Sequence, residues 1–173
     1  MDYCVTCGTK LEEKFLEKEG MIPYCSTCED FCFPTFSTAV SAIIFNQTED
    51  KILLIQQYGT PNFRLIAGYL NKGEAAEPAL LRELQEEVGV SVASYRFNKS
   101  EYYERNNTLM LNFACKVSSE VLTCDKDEID YAEWFSIAQA RKKIEAGSLA
   151  QTFMEHFLQS NPQGLKDAVK VLA

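Results

Sequence analysis

The sequence predicts an α/β domain preceded by a small, metal-held domain of the zinc-ribbon kind. Four cysteines fall in two C-x2-C pairs near the N-terminus, and short apolar runs rich in β-branched and aromatic residues alternate with turn residues between 36 and 135. Between Gly68 and Val90 the apolar spacing changes to that of a helix.

With 173 residues, 46% of them hydrophobic and 24% charged, the chain can bury one good core and carry a small appendage. Its longest apolar runs are only a few residues, as in Ala42-Ile43-Ile44-Phe45, so no membrane span is expected. Met1-Asp2-Tyr3-Cys4 does not open like a signal peptide. A net charge of −8 disfavours a phosphate backbone held on a basic surface, so nucleic acid is not the expected partner. A small nucleotide remains compatible, provided metal ions bridge the two sets of negative charge. Seven cysteines, an odd number with four at metal spacing, point to a reducing, cytoplasmic setting.

Residues 1–33 form the first expected domain. Cys4, Cys7, Cys25 and Cys28 present two thiolate knuckles separated by seventeen residues, which close a tetrahedral S4 site with no open position: a structural Zn²⁺. The segment carries seven acids against three lysines, a poor surface for a phosphate backbone. Cys32, Cys115 and Cys124 read as packing thiols. Residues 31–34 are the linker into a second domain, 34–160.

Strands are expected at 36–45 and 51–57, joined by the polar turn 46–50. A loop at 58–62 leads to a strand at 63–67 that runs into Gly68. In the helix that follows, Leu81, Leu84 and Val88 fall at i, i+3 and i+7, Pro78 sits harmlessly in the first turn, and Gly89 stops it. Strands at 91–98 and 108–117 are separated by Asn106-Asn107, and a short strand at 132–135 follows the acidic loop 125–128. Helices follow at 137–145, stopped by Gly147, and from Ser148, with Gln151 as a capping-box partner, to 157 or 158. Past the break at Asn161-Pro162, the extension 161–173 reads as a last helix carrying Leu165, Ala168, Val169 and Leu172.

The stretch with most chemical content is Gly68, five residues, Glu74, seven residues, then Arg82-Glu83-Leu84-Gln85-Glu86-Glu87-Val88-Gly89-Val90. Glu83, Glu86 and Glu87 lie at i, i+3 and i+4 and project together, opposite the leucines, with no lysine four residues on to pair with them. Taken alone they would suit a solvated acidic flank. As a cluster of hard oxygen ligands they suit Mg²⁺ or Mn²⁺. The whole pattern, G-x5-E-x7-R-E-U-x-E-E-x-G-U with U aliphatic, has a chance of arising at random on the order of one in ten million.

This pattern resembles the Nudix box. The resemblance implies a loop-helix-loop on an α/β/α sandwich with a mixed β-sheet, and divalent-metal-dependent hydrolysis of a nucleoside diphosphate linked to another group. The order of cysteine pairs, Phe33-Pro34-Thr35, Ala67-Gly68-Tyr69, box, and Glu128-Ile129-Asp130-Tyr131-Ala132-Glu133-Trp134-Phe135 is similar to the NADH pyrophosphatase branch of that family, from about Cys4 to Leu158. Members of that branch carry a further domain ahead of the ribbon, with no counterpart among these residues.

The resemblance implies that Glu83, Glu86 and Glu87 hold one to three Mg²⁺ or Mn²⁺, with the Gly68 carbonyl as a further ligand and Glu128 closing the site. Glu86, Glu87 and Glu128 are all candidates for the general base. Arg82 orients Glu86 or Glu87, and Glu74 steadies the loop. Tyr69 and Phe33 occupy positions that stack a purine in the family, Phe33 by reaching across a homodimer. Arg64 and Arg105 are candidate phosphate contacts. The branch's Ser-Gln-Pro-Trp-Pro-Phe-Pro-x-Ser-Leu-Met signature, associated with NAD(H), is kept only at Ser100, Leu109 and Met110; the prolines and the Trp are gone, which predicts a flexible polar loop and no carry-over of NAD specificity. The expected substrate is therefore a small nucleotide such as an NADH-like dinucleotide, ADP-ribose or a nucleotide sugar. A regulatory module that binds a nucleotide without turning it over, and decapping of NAD-initiated RNA, are the alternatives.

Overall fold

The computed structural model describes residues 2–166 and 168–170. They fall into two compact units, one up to Phe36 and one from Ser37 onward.

In the first unit an antiparallel sheet of order β1-β2-β3 joins β1 (Glu12–Leu16), β2 (Gly20–Cys25) and β3 (Asp30–Phe31). Among the described residues its only buried side chains are Cys4 and Cys25. So small a unit has almost no apolar core, and its thiols sit where a core would be. Gly8, at φ 74°, turns the chain back after Cys7, and its amide donates to the Cys4 carbonyl at 2.9 Å.

The second unit is an α/β sandwich with a mixed sheet. Its strands are β4 (Ser37–Phe45), β5 (Lys51–Gln57), β6 (Ile66–Tyr69), β7 (Val92–Tyr103), β8 (Thr108–Val117), β9 (Ile129–Ser136) and β10 (Val169–Lys170), and its helices α1 (Ala76–Val88), α2 (Ile137–Lys143) and α3 (Leu149–Ser160). The order is β10-β7-β8-β4-β5-β9, with β6 beside β4. The β4–β8 pair is parallel and the others are antiparallel.

Period-two alternation gives the sheet two apolar faces. Val40, Ala42 and Ile44 of β4 with Leu53 and Ile55 of β5 pack on Leu80, Leu84 and Val88 of α1. Ile43, Phe45, Ile52 and Leu54 pack instead on Phe153, Met154 and Phe157 of α3 and on Ala140 of α2. Among the described residues no helix is long and apolar enough to cross a membrane.

One edge of β4 is shared. Its end, at Ile44 and Phe45, pairs with β5, while Ala39 to Ala42 pair with β6. The two strands thus diverge, and β6 carries Gly68 into the gap.

Four expectations need correction. The strand before the box is Ile66–Tyr69 rather than 63–67; Phe63 and Arg64 make only isolated bridges, to Ile144 and Ile55, because the chain crosses to β4 after leaving β5. The segment 100–110 is not a flexible loop. With its prolines gone every amide can join the ladder, so β7 runs on to Tyr103 opposite Thr108, and the turn is closed by Glu104–Asn106 and by Asn107 at φ 53°. The extension is not helical where it is described: Leu165 is buried in a turn, and Val169 and Lys170 pair with Tyr95 and Ser94. Leu172 lies outside the described residues. Ser148 does cap α3, accepting from the Gln151 amide at 3.1 Å, but the Gln151 side chain accepts from Gly147 rather than from Ser148.

Candidate active site

Helix α1 positions the acids. Its buried stripe is Leu80, Leu84 and Val88, with Leu81 half-buried, and Gly89 at φ 68° ends it with its amide on the Gln85 and Leu84 carbonyls. Glu83, Glu86 and Glu87 do not all face away from that stripe. Glu87 is 3% exposed, Glu83 is half-buried and only Glu86 stands in solvent. The reason is angular: Glu87 follows Leu84 by three residues and lies on the border of the apolar stripe.

Gln57, at the end of β5, donates its amide to Glu87 Oε2 at 3.1 Å. Glu87 nonetheless has its carboxyl pushed up to about 8, first by burial and then by the charges of Glu83, Glu128 and Glu86. Glu128 is exposed and immediately precedes β9; Ile129 pairs with Gln57 and the Asp125 amide donates to the Glu87 carbonyl at 2.9 Å, which brings this segment to the end of α1. The charges of Glu83, Glu86 and Glu128 are thus felt at Glu87, although among the described residues only the four cysteines bring three or more metal-ligating atoms within 4.8 Å of one another.

Arg82 organises the rest. Its Nε and Nη2 donate to both oxygens of Glu74, at 2.9 and 2.8 Å, while Nη1 donates to Glu83 at 2.8 Å and to Glu86 at 3.0 Å. Nη2 also reaches the Tyr69 carbonyl at 3.2 Å. Glu74 in turn accepts from the Asn71 amide at 2.9 Å, and the Arg82 guanidinium holds its carboxyl down at about 2. Arg82 therefore orients Glu83 and Glu86 and ties the loop to the helix; it makes no bond to Glu87.

Gly68 sits against this cluster. A Cβ built on it would lie 1.9 Å from the Glu83 carboxyl carbon, so only glycine leaves room for that carboxylate beside the β6 backbone. Carboxylate oxygens and glycine backbone are donor types that suit a hard divalent cation, and Glu87 is buried with, among the described residues, only the Gln57 amide bonded to its carboxylate.

On the other face of β4 and β6, a cleft of about 630 Å³ is lined by residues including Ser41, Gly68, Tyr69, Tyr103 and Phe153. Tyr69 is 54% exposed and accepts from Asn106 Nδ2 at 3.1 Å. Arg64 and Arg105 line the same cleft. Phe33 belongs to the first unit and is 51% exposed. Sequence patterns did not single out Gln57 or Ser41, because a lone polar residue on an apolar strand has no signature until the neighbouring element is in place.

In the first unit the Sγ atoms of Cys4, Cys7, Cys25 and Cys28 all lie within 4.8 Å of one another, with Cys4 to Cys28 at 3.9 Å and Cys7 to Cys25 at 3.4 Å. Four thiolates about 2.3 Å from one ion would stand roughly 3.8 Å apart, so this cluster can hold a metal ion. Backbone amides of Cys7 and Thr6 lower the Cys4 thiol to about 6, whereas the neighbouring thiols raise Cys28. No cysteine is in a disulfide.

The family model described as NUDIX domain matches residues 35–157. Among curated proteins, the NAD-capped RNA hydrolase NudC of Pseudomonas putida is 30% identical over 137 residues, 78% of this chain and 48% of that protein. The NudC of Vibrio atlanticus is 26% identical over 158 residues, 90% of this chain and 57% of that one. The chain spans about half the length of the curated relatives it matches. A crystal structure of a NUDIX hydrolase from Nitrosomonas europaea superposes with a TM-score of 0.64 at 17% identity, covering 95% of this chain and 94% of that one, which bears on the fold alone. The relatives correct one expectation. These two relatives are named hydrolases of NAD-capped RNA, so net charge is no ground for setting nucleic acid aside. A capped end can be held at a local metal site whatever the sign of the remaining surface.

Proposed function

The chain belongs to the Nudix family of hydrolases, and from that premise we propose that it cleaves, with a divalent metal, the diphosphate bond of a nucleoside diphosphate derivative, releasing a nucleoside monophosphate. The observation that supports this reading is the box helix itself: the Glu83 carboxyl lies against the Gly68 backbone, Arg82 bonds Glu83 and Glu86, and Glu87 is buried with, among the described residues, no cation bonded to it. Glu83, Glu86, Glu87, Glu128 and the Gly68 carbonyl would hold Mg²⁺ or Mn²⁺. When bound, such an ion neutralises diphosphate oxygens and acidifies a water.

The protein's own groups do the positioning. Arg82 fixes Glu83 and Glu86 through one oxygen each and braces Glu74, so the box loop keeps its shape. Gln57 holds Glu87. The proton of the attacking water goes to one of Glu86, Glu87 or Glu128. Tyr69, open on the cleft rim, offers a ring face to a base, and Phe33 offers another if a second copy supplies it.

The substrate class is an NADH-like dinucleotide, ADP-ribose or a nucleotide sugar. The names of the relatives add an NAD-capped RNA to the set worth testing. Zn²⁺ is the ion proposed for the four cysteines, with a structural role, since S4 sites leave no open position. Free thiols throughout suit a reducing, cytoplasmic setting, and a homodimer is the proposed assembly.

Purified protein with Mg²⁺ or Mn²⁺ should convert at least one member of that panel, capped RNA included, to a nucleoside monophosphate identified by mass spectrometry. Glu86→Gln should lower kcat by about a hundredfold or more. Tight binding with no product from any member would replace the hydrolase reading with a nucleotide-binding one.

A further inference from the structure

The cleft on the α3 side of the sheet presents more hydrogen-bond donors than its own walls can use. Arg64 donates Nη2 to Thr60 Oγ1 at 3.1 Å, but its Nε is the buried side-chain nitrogen that, among the described residues, finds no acceptor. Among the described residues no carboxylate forms an ion pair with Arg64 or with Arg105, which stands on the β7–β8 turn across the cleft.

The floor supplies a third donor. His156 Nδ1 lies 3.0 Å from Asn98 Oδ1, and Asn98 Nδ2 donates to the Phe153 carbonyl at 3.0 Å and to Asn112 Oδ1 at 2.8 Å. The oxygen of Asn112 is thereby committed, so its Nδ2 donates to Ser41 Oγ at 2.6 Å. Ser41 acts as acceptor in that bond and keeps its own proton for the cleft it lines. The one acid in the wall, Glu145, already accepts from Asn62 Nδ2 at 2.9 Å.

We propose that this cleft binds a phosphomonoester carried by the nucleotide derivative in addition to its diphosphate. The proposal rests on the reading that the acids of α1 take the diphosphate. Those acids lie on the opposite face of β4 and β6, and Gly68, which borders both the cluster and the cleft, is the place where a substrate passes from one to the other. A buried guanidinium N–H without an acceptor is costly, whereas a guanidinium fork matches two oxygens of a phosphate. A neutral sugar or nicotinamide would leave both arginines unanswered. A phosphomonoester on the ribose answers both, and Ser41 besides.

The test compares partners that differ by one phosphate. Thermal shift with AMP, adenosine 2′,5′-bisphosphate and adenosine 3′,5′-bisphosphate reads binding without turnover, and its two arms say which hydroxyl bears the group. Cleavage of NADPH against NADH, and of coenzyme A against its dephosphorylated form, reads the same difference in kcat/KM. The expected result is a preference of about tenfold or more for one phosphorylated member, reduced about tenfold by Arg64→Gln and by Arg105→Gln. Arg105 is exposed on a turn, so its variant keeps the test valid should Arg64→Gln fail to fold. A bisphosphate preference with no cleavage of anything would sink the hydrolase reading and leave this one standing. Cleavage with no preference in either assay would overturn this one alone, as would variants that slow both members of a pair equally, since the arginines would then be serving the diphosphate.

Discussion

Glu87 should make the stability of the protein fall with rising pH when no divalent ion is supplied, and Glu87→Gln should abolish that dependence. The carboxyl is buried and raised from 4.5 to about 8. A carboxyl raised in this direction binds its proton more tightly in the folded chain than in the unfolded one. Its contribution is therefore complete below about pH 4.5 and disappears as pH climbs through about 8. Linkage between those two values leaves about 3 kcal/mol at pH 6 and almost none at pH 9. For a chain of this size that is a loss of roughly 6 to 12 °C in Tm. Glutamine keeps the shape of the carboxyl and a carbonyl oxygen for Gln57, so the variant should be nearly flat across the same range. Melting curves at pH 6, 7, 8 and 9, with and without 10-fold excess Mg²⁺, measure it; Mg²⁺ should restore the wild-type protein at pH 9 and do little for the variant. Parallel pH curves for wild type and variant would refute the argument, because Glu87 would then be ionised at no cost and no cation would be needed to compensate it.

Other consequences are independent of that one. Gly68→Ala places a Cβ against the Glu83 carboxylate, whose flexible end must swing away; Mn²⁺ affinity, followed by electron paramagnetic resonance, should drop about tenfold or more while Tm moves little. Arg82→Lys removes the two-pronged bond to Glu74 and cannot also reach Glu83 and Glu86, so both Tm and kcat should fall, by about 1 to 3 kcal/mol in stability. Cys25→Ser opens the four-sulfur cluster of a unit in which, among the described residues, Cys4 is the one other buried side chain. Metal analysis should show loss of about one Zn²⁺ per chain, and limited proteolysis should then cut before residue 37, with hydrolysis by the remaining domain retained.

Much of this was legible in the residue pattern because local chemistry settles it. Each C-x2-C knuckle presents its own two thiols together by local chain geometry, and the spacing of the two knuckles announces the four-sulfur cluster. The box helix announces itself through Leu84, Val88 and Gly89, since 3.6-residue periodicity and a left-handed stop are properties of a short segment. The strands 51–57 and 108–117 were equally visible, because alternation and turn residues bound them. Net charge, by contrast, misled about nucleic acid: it averages over a surface, whereas a ligand meets one site.

What only the tertiary structure decided is the company each of these residues keeps. Helical spacing alone put all three box glutamates on an outer face. Packing α1 on β4 and β5 buried Glu87, brought Gln57 against it and let the charge of Glu128, 41 positions on, act on it. The segment 100–110 read as a loop because its missing prolines said only what could not rigidify it; pairing with β8 made it a strand. Likewise Leu165 to Val169 has helical spacing, yet the free edge of β7 offered backbone partners at Ser94 and Tyr95 that an isolated helix could not match. Periodicity is set within a few residues and can be read from them, whereas burial, counter-charge and strand partners depend on groups tens of positions away, and so exist only once the chain has folded.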